Sequence, residues 1–245
     1  MKLRTLRLAL VAALATATLL PAAAIAQEAA IRKALAERLP NLPKIDEVTR
    51  SPVAGLWEVR YGGTEIIYSD DKGDFIFANG SLVETKTRTD MTQARIEKLL
   101  AIDFDKLPLK DALVIKQGSG ARKMAVFVDP NCGYCKRFER DLVAIKDVTI
   151  YTFLLPILGA DSTAKSRDIL CAKDPALAWR AWMIDGVVPP KGGKCDTSPI
   201  DRTLAFGQQQ RINGTPAVFF ADGTRRPGAI SGETVERLLT AAAKK

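Results

Sequence analysis

Cys132 and Cys135, separated by Gly133 and Tyr134, place two thiols one helical turn apart, just after the apolar run Met124 to Val128 and the breaker Pro130. Sulfurs at i and i+3 can close a small disulfide, so the pair is a redox site. A strand feeding a helix here leaves the first sulfur at the helix N-terminus, where unpaired backbone N–H groups and the helix dipole favour a thiolate. The thiolate is the form that attacks other disulfides. Asp129 is read as a cap for this helix. Gly133 and Tyr134 tune exposure and packing and carry no chemical step.

Cys171 and Cys195 complete a set of four cysteines, which allow three pairings. With Cys132 assigned to Cys135, the second bridge is Cys171 to Cys195, read as structural and worth roughly 3 kcal/mol through the loop it closes. A metal site built from all four is the competing arrangement. Zinc ribbons usually present two short Cys-x-x-Cys knuckles, whereas this chain has one, and it contains no histidine. Neither a metal nor a separate cofactor is expected beyond the redox-active Cys132–Cys135 pair.

Gly214-Thr215-Pro216 precedes the apolar run Ala217 to Phe220. A proline opening a central strand lacks a ladder donor. A cis Thr215–Pro216 bond would resolve this, and a trans proline in a loop is the commoner arrangement; the residues leave both open.

Lys2, Arg4 and Arg7 stand before an apolar stretch from Leu8 to Leu20, and Ala24-Ile25-Ala26 is a small-x-small cleavage signal. This reads as a secretory signal peptide over residues 1–26, cleaved near Ala26/Gln27, and places the mature chain in an oxidising compartment outside the cytosol, where disulfides persist. The apolar run is shorter than the roughly 20 residues a membrane span needs. Three of the 36 basic residues lie in this leader, leaving 33 against 28 acidic ones. So mild an excess, mixed with acidic residues, argues against nucleic acid as a partner.

The elements that must position these groups fall into two patterns. A helix from about Glu28 to Leu39 repeats Ile31, Leu35 and Leu39, after which the period becomes two. Trp57, Val59 and Tyr61 alternate with Glu58 and Arg60, and turns at Gly62-Gly63, Asp71-Lys72-Gly73 and Asn79-Gly80 separate Thr64 to Tyr68, Phe75 to Ala78 and Leu82 to Thr85. This predicts a small antiparallel meander. A unit of that size buries limited surface and leaves open edges, which pairing with a second copy would cover.

Asp90, with Gln93 placed for a capping box, opens a linker helix with Ile96, Leu99 and Leu100 on one stripe, stopping at Leu107-Pro108. Beyond it, strands at Ala112 to Lys116 and Met124 to Val128, a helix from Cys132 to Ile145 and a strand from Val148 to Leu155 alternate. A helical insert carrying Cys171, Trp179 and Trp182 follows. Then come a helix near Ile200 to Gln210, the strand Ala217 to Phe220, an Asp222-Gly223 turn and a terminal helix bearing Val235, Leu238 and Leu239. The fold class is α/β (α+β overall): a C-terminal thioredoxin-like domain with a helical insertion, and a small N-terminal antiparallel-sheet dimerisation domain joined to it by a linker helix. The expected domains are 27–89 for dimerisation, 90–108 for the linker helix and 109–245 for catalysis.

Cys-Gly-Tyr-Cys, the segment Cys171-Ala172-Lys173-Asp174 with Cys195, Gly214-Thr215-Pro216-Ala217-Val218 and Pro52-Val53-Ala54-Gly55 together resemble the bacterial periplasmic disulfide isomerase family known as DsbC. The resemblance covers essentially the whole mature chain. It implies a cis Thr215–Pro216 bond beside the active-site cysteines, where backbone pairs with an extended substrate. It also implies a V-shaped homodimer whose uncharged cleft holds misfolded chains, and a membrane thiol reductase of the DsbD type as electron donor. Lys136 stands where family members often carry histidine, and its fixed charge is expected to favour the thiolate without histidine-linked pH tuning.

The function so implied is a periplasmic thiol:disulfide isomerase and reductase that rearranges wrong disulfides in exported proteins, with chaperone-like client binding. Cys132 attacks and Cys135 resolves. A dithiol oxidase that donates disulfides and a non-enzymatic periplasmic chaperone are the alternatives.

Overall fold

The computed structural model describes residues 19–244, with side chains from residue 24 onward. The leader expected over residues 1–26 therefore lies largely outside the described residues. The chain divides into two compact units between Leu99 and Leu100. Among the described residues no helix is long and apolar enough to cross a membrane.

The first unit opens with α1, Leu19–Arg38, which starts earlier than the apolar repeat predicts because its alanine-rich first half has high helix propensity. Ile31 and Leu35 are buried against Val48, Trp57, Val59 and Ile67 of an antiparallel sheet. That sheet runs β1 (Ile45–Arg50), β2 (Leu56–Tyr61), β3 (Glu65–Asp70), β4 (Ile76–Phe77) in sequential order. Strand β1 is invisible to a period-two search. Ile45 and Val48 are three apart, and a register shift between Ile45 and Glu47 restores the facing of Val48. At Gly73, φ is +67° and a Cβ would meet the Ala34 Cβ at 2.9 Å, so only glycine admits the close approach of α1 to this turn.

Leu82 to Thr85 does not extend the meander. Val83–Glu84 (β5) pairs instead with Thr89–Asp90 (β6), because Leu82 is committed to the next helix: its N–H donates to Thr92 Oγ1 at 2.8 Å and its carbonyl accepts from Met91 N–H at 2.8 Å. Helix α2, Met91–Leu99, is capped as predicted, Asp90 Oδ1 accepting the Gln93 N–H at 2.8 Å. The Gln93 side chain turns to Glu97 and leaves the box unreciprocated. Arg95 binds Glu47 at 2.7 Å and Glu58 at 3.1 Å, and Thr92 Oγ1 lies 2.5 Å from the Tyr68 hydroxyl, so the helix is fastened to the first unit's sheet. It ends at Leu99, not at Leu107. Residues 104–106 form a separate 3-10 turn, because Phe104 and Leu107 are drawn into the core of the second unit.

The second unit contains β7 (Leu113–Gln117), β8 (Arg122–Val128), α3 (Gly133–Leu142), β9 (Val148–Leu154), α4 (Ala160–Leu170), α5 (Pro175–Arg180) and a π-helical turn (Ala181–Asp185). Then follow α6 (Ser198–Gln209), β10 (Ala217–Phe220), β11 (Arg225–Pro227) and α7 (Gly232–Ala242). The sheet order is β11-β10-β8-β9-β7, with β8 and β9 parallel and the other pairs antiparallel.

Central β8 alternates its side chains between two cores. Met124, Val126 and Val128 pack with Phe138, Leu142, Val235 and Leu239 from α3 and α7, while Ala125 and Phe127 pack with Phe104, Phe153 and Phe219. The Phe127 ring stacks on Phe153 at 4.5 Å and Phe206 at 5.7 Å, with Phe219 edge-on at 5.4 Å. This burial on both faces makes β8 a rigid base for the turn that follows it.

Candidate active site

The chain leaves β8 through Asp129, Pro130 and Asn131 and enters α3, with Cys132 as N-cap: its Sγ accepts the Cys135 N–H at 3.2 Å and its carbonyl accepts the Lys136 N–H at 3.1 Å. The same Sγ donates to the Thr215 carbonyl oxygen at 3.3 Å. Pairing of β8 with β10, with Phe127 opposite Ala217, brings these distant segments together. The Thr215–Pro216 peptide is cis, and the Pro216 carbonyl accepts the Gly228 N–H at 2.8 Å. Behind that loop, buried Arg225 donates to the carbonyls of Gln210 at 2.8 Å and Arg211 at 2.9 Å.

The two sulfurs are free thiols, both buried, with Cys135 the deeper. Burial pushes the Cys135 thiol far above its ordinary range, and its contact with Cys132 pushes in the same direction. The Thr215 hydroxyl and the backbone at Asp129 oppose this without offsetting it. Cys135 therefore holds its proton at neutral pH. Cys132 carries the helix N-terminus, where a developing sulfur anion meets backbone donors.

Asp129 does not cap α3; Cys132 does. The Asp129 carboxylate, fully buried, accepts from the Asn131 N–H at 2.8 Å, the Ser162 hydroxyl at 2.7 Å and the Leu158 N–H at 2.9 Å. The Lys136 ammonium sits 3.8 Å from the centroid of the Trp182 ring. Burial, reinforced by Lys165 and Arg140, lowers its pKa, and its charge is spent on the indole face.

Glu139, one turn beyond Cys135, is also buried. Desolvation raises its carboxyl pKa, and neither the Trp179 indole nor the Arg180 charge offsets this.

Tyr134 is 69% exposed. It borders a groove of about 480 Å³ that runs from Thr215 between Arg137 and Asp141 on one side and Ile230 and Gly232 on the other. Gly133 is exposed beside it. Cys171 and Cys195 form a disulfide with Cα atoms 5.6 Å apart, at the end of α4 and in the loop before α6. Among the described residues no cluster of His, Cys, Asp or Glu is arranged to hold a metal ion.

The structure thus joins Cys132, Cys135, Thr215 and Pro216 at one place, with Tyr134 at its rim, and sets the second cysteine pair apart. Asn131, Ser162 and the indole N–H of Trp182 also reach the active-site turn. Trp182 is marked in the sequence as a tryptophan of the helical insert, whereas Ser162 carries no signal.

A Cys-x-x-Cys helix N-terminus facing a cis-proline, on a five-stranded sheet with helices on both faces, defines a thioredoxin-fold thiol:disulfide oxidoreductase. Residues 109–243 match the thioredoxin-like domain family, and residues 22–93 match the disulfide bond isomerase N-terminal domain. The chain is 44% identical over 213 residues to the probable thiol:disulfide interchange protein DsbC of Bordetella pertussis, covering 87% of this chain and 74% of that one. It is 29% identical over 207 residues to thiol:disulfide interchange protein DsbC of Escherichia coli K12, covering 83% of each. A disulfide interchange protein structure from Neisseria gonorrhoeae aligns with a TM-score of 0.53 at 36% identity, over 56% of this chain and 98% of that one. The chain belongs to the DsbC family and is an oxidoreductase of the disulfide isomerase class.

Proposed function

We propose that this protein rearranges incorrect disulfides in exported proteins through Cys132 and Cys135. The contrast between the two sulfurs carries this reading. Cys132 sits at a helix N-terminus against the Thr215 loop, and Cys135 is held protonated by burial.

The Cys132 thiolate attacks one sulfur of a client disulfide. A mixed disulfide forms and the other client sulfur leaves as a thiolate. When that thiolate attacks a third sulfur of the client and reaches the correct pairing, Cys132 is released unchanged and no net redox occurs. When the client stalls, Cys135 loses its proton and attacks Cys132 Sγ. The client departs as a dithiol and the enzyme as the Cys132–Cys135 disulfide, which needs two electrons from a membrane thiol reductase of the DsbD type. Thr215 and Pro216 present backbone to the extended client, and the groove beside Tyr134 takes its flanking residues. This is also the surface we assign to chaperone-like binding. The Cys171–Cys195 bridge remains structural.

The site of action is the periplasm, after removal of a leader near Ala26/Gln27. The working form is a homodimer built on the N-terminal domain of residues 27–89, with residues 90–108 leading to the catalytic domain of residues 109–245. In support, β4 is a two-residue edge strand whose Phe77 is 63% exposed, and Phe75 just before it is 72% exposed.

Recovery of active ribonuclease from its scrambled form, compared for the wild type and Cys132→Ala and run beside light scattering, tests the proposal. Loss of recovery in the variant with a dimeric wild-type mass is expected. Undiminished recovery would leave only a chaperone, and a site found mainly oxidised in cells would favour an oxidase.

A further inference from the structure

We propose that the helical insert between β9 and β10 is part of the active site, with Asn131, Ser162 and Trp182 acting as positioning residues for Cys132. This rests on the assignment of Cys132 as the attacking sulfur.

Each residue of the turn before Cys132 is gripped by a group from the insert or from the loop leading into it. Asp129 accepts the Ser162 hydroxyl at 2.7 Å and the Leu158 N–H at 2.9 Å. The Pro130 carbonyl accepts Trp182 Nε1–H at 2.6 Å. Asn131 Nδ2 donates to Asp161 Oδ2 at 2.7 Å and to Ser162 Oγ at 3.0 Å. Trp182 also reaches past the cysteine, because its ring carries the Lys136 ammonium, and Lys136 donates its backbone N–H to the Cys132 carbonyl.

The contacts of the sulfur itself are longer, 3.2 Å to the Cys135 N–H and 3.3 Å to the Thr215 oxygen. Thiols are weak hydrogen-bonding groups, so these two contacts report where the sulfur is held more than they hold it. The fixing force comes from the shorter N–H···O and O–H···O bonds, several of them buried and costly to leave unmade.

The charged and titratable groups around the turn include Asp129 behind it, Cys135, Lys136, Glu139 and Arg140 on α3, Arg180 on α5, and Asp161 and Lys165 on α4, the last two ion-paired. The loop Gly214-Thr215-Pro216 brings none. Ser162→Ala, Asn131→Ala and Trp182→Phe leave every one of these charges in place.

The consequence is directional. The donation to the Thr215 oxygen exists only while Cys132 carries its S–H proton, as in the dithiol, whereas the Cys132–Cys135 disulfide is held covalently. Loosening the turn therefore weakens the dithiol more than the disulfide.

The test measures the equilibrium of the Cys132–Cys135 pair with glutathione in the full chain, with thermal unfolding alongside. Ser162→Ala and Trp182→Phe are expected to shift it toward the disulfide by about three- to tenfold, in line with the loss of one net hydrogen bond. Asn131→Ala gives the same reading if either of those variants fails to fold. Lowered thermal stability with an equilibrium within twofold of the wild type, or a shift toward the dithiol, overturns the proposal. If Cys132→Ala is inactive while these equilibria match the wild type, only the positioning role falls. If Cys132→Ala keeps isomerase activity, the nucleophile assignment falls with it.

Discussion

The Cys132 sulfur lies 3.3 Å from the carbonyl oxygen of Thr215, across a sequence separation of 83 residues. One sulfur thus meets the helix N-terminus on one side and the cis-proline loop on the other, where a client strand would lie. The second sulfur, three residues on, is the more deeply buried of the two, 1% exposed against 6%.

This asymmetry predicts the order of modification. With the reduced protein at neutral pH, iodoacetamide should label Cys132 at least about tenfold faster than Cys135, since each unit of raised pKa removes tenfold in thiolate. Peptide mass spectrometry of a short time course reads the ratio directly. Equal labelling would mean that the burial of Cys135 is not maintained in solution.

Glu139 predicts a pH signature in stability. A carboxyl whose pKa is raised by folding contributes stability that is fully present below its unfolded value and lost as pH rises through its folded value. Glu139→Gln should therefore raise the unfolding midpoint at pH 7, by about 2–4 °C for each kcal/mol of relieved burial cost. The gap to the wild type should close below about pH 4. A constant gap across that range would show that packing, not ionisation, sets it.

Phe127→Ala removes the ring around which Phe153, Phe206 and Phe219 are arranged. The cavity should cost about 3–5 kcal/mol in urea unfolding. The glutathione equilibrium of the folded fraction should change far less, because Phe127 points to the core opposite α3.

Phe77→Glu puts a charge on the exposed edge strand of the first unit. Light scattering should then report half the wild-type mass, with the thiol reactivity of Cys132 unchanged. A mass that stays dimeric would place the interface elsewhere.

Much of the second unit was legible in the residues. The run Met124 to Val128, the breaker at Pro130 and the spacing of the first two cysteines predict a strand, a turn and a helix opening at Cys132, and the structure has all three. What failed did so for tertiary reasons. Strand β1 hides its period behind a bulge, Leu82 to Thr85 is captured by Thr92 into a separate hairpin, and Phe104 and Leu107 leave the helix register because a neighbouring core takes them.

Asp129 shows the same limit at the site. An acidic residue just before a helix has the signature of a cap. It is instead a buried acceptor for three donors, two of them from segments about thirty residues away, and no local pattern announces such partners.

The sequence by itself determined the chemistry: a pair of sulfurs at helical spacing, a second pair to be bridged, and a proline before a buried strand, since thiol pairing and helix initiation depend on residue type and short spacing. Only the tertiary structure decided which sulfur is presented and which is withheld. That distinction rests on the greater depth of Cys135, on the Thr215 loop and on the insert's hydrogen bonds, all set by groups far apart in the chain.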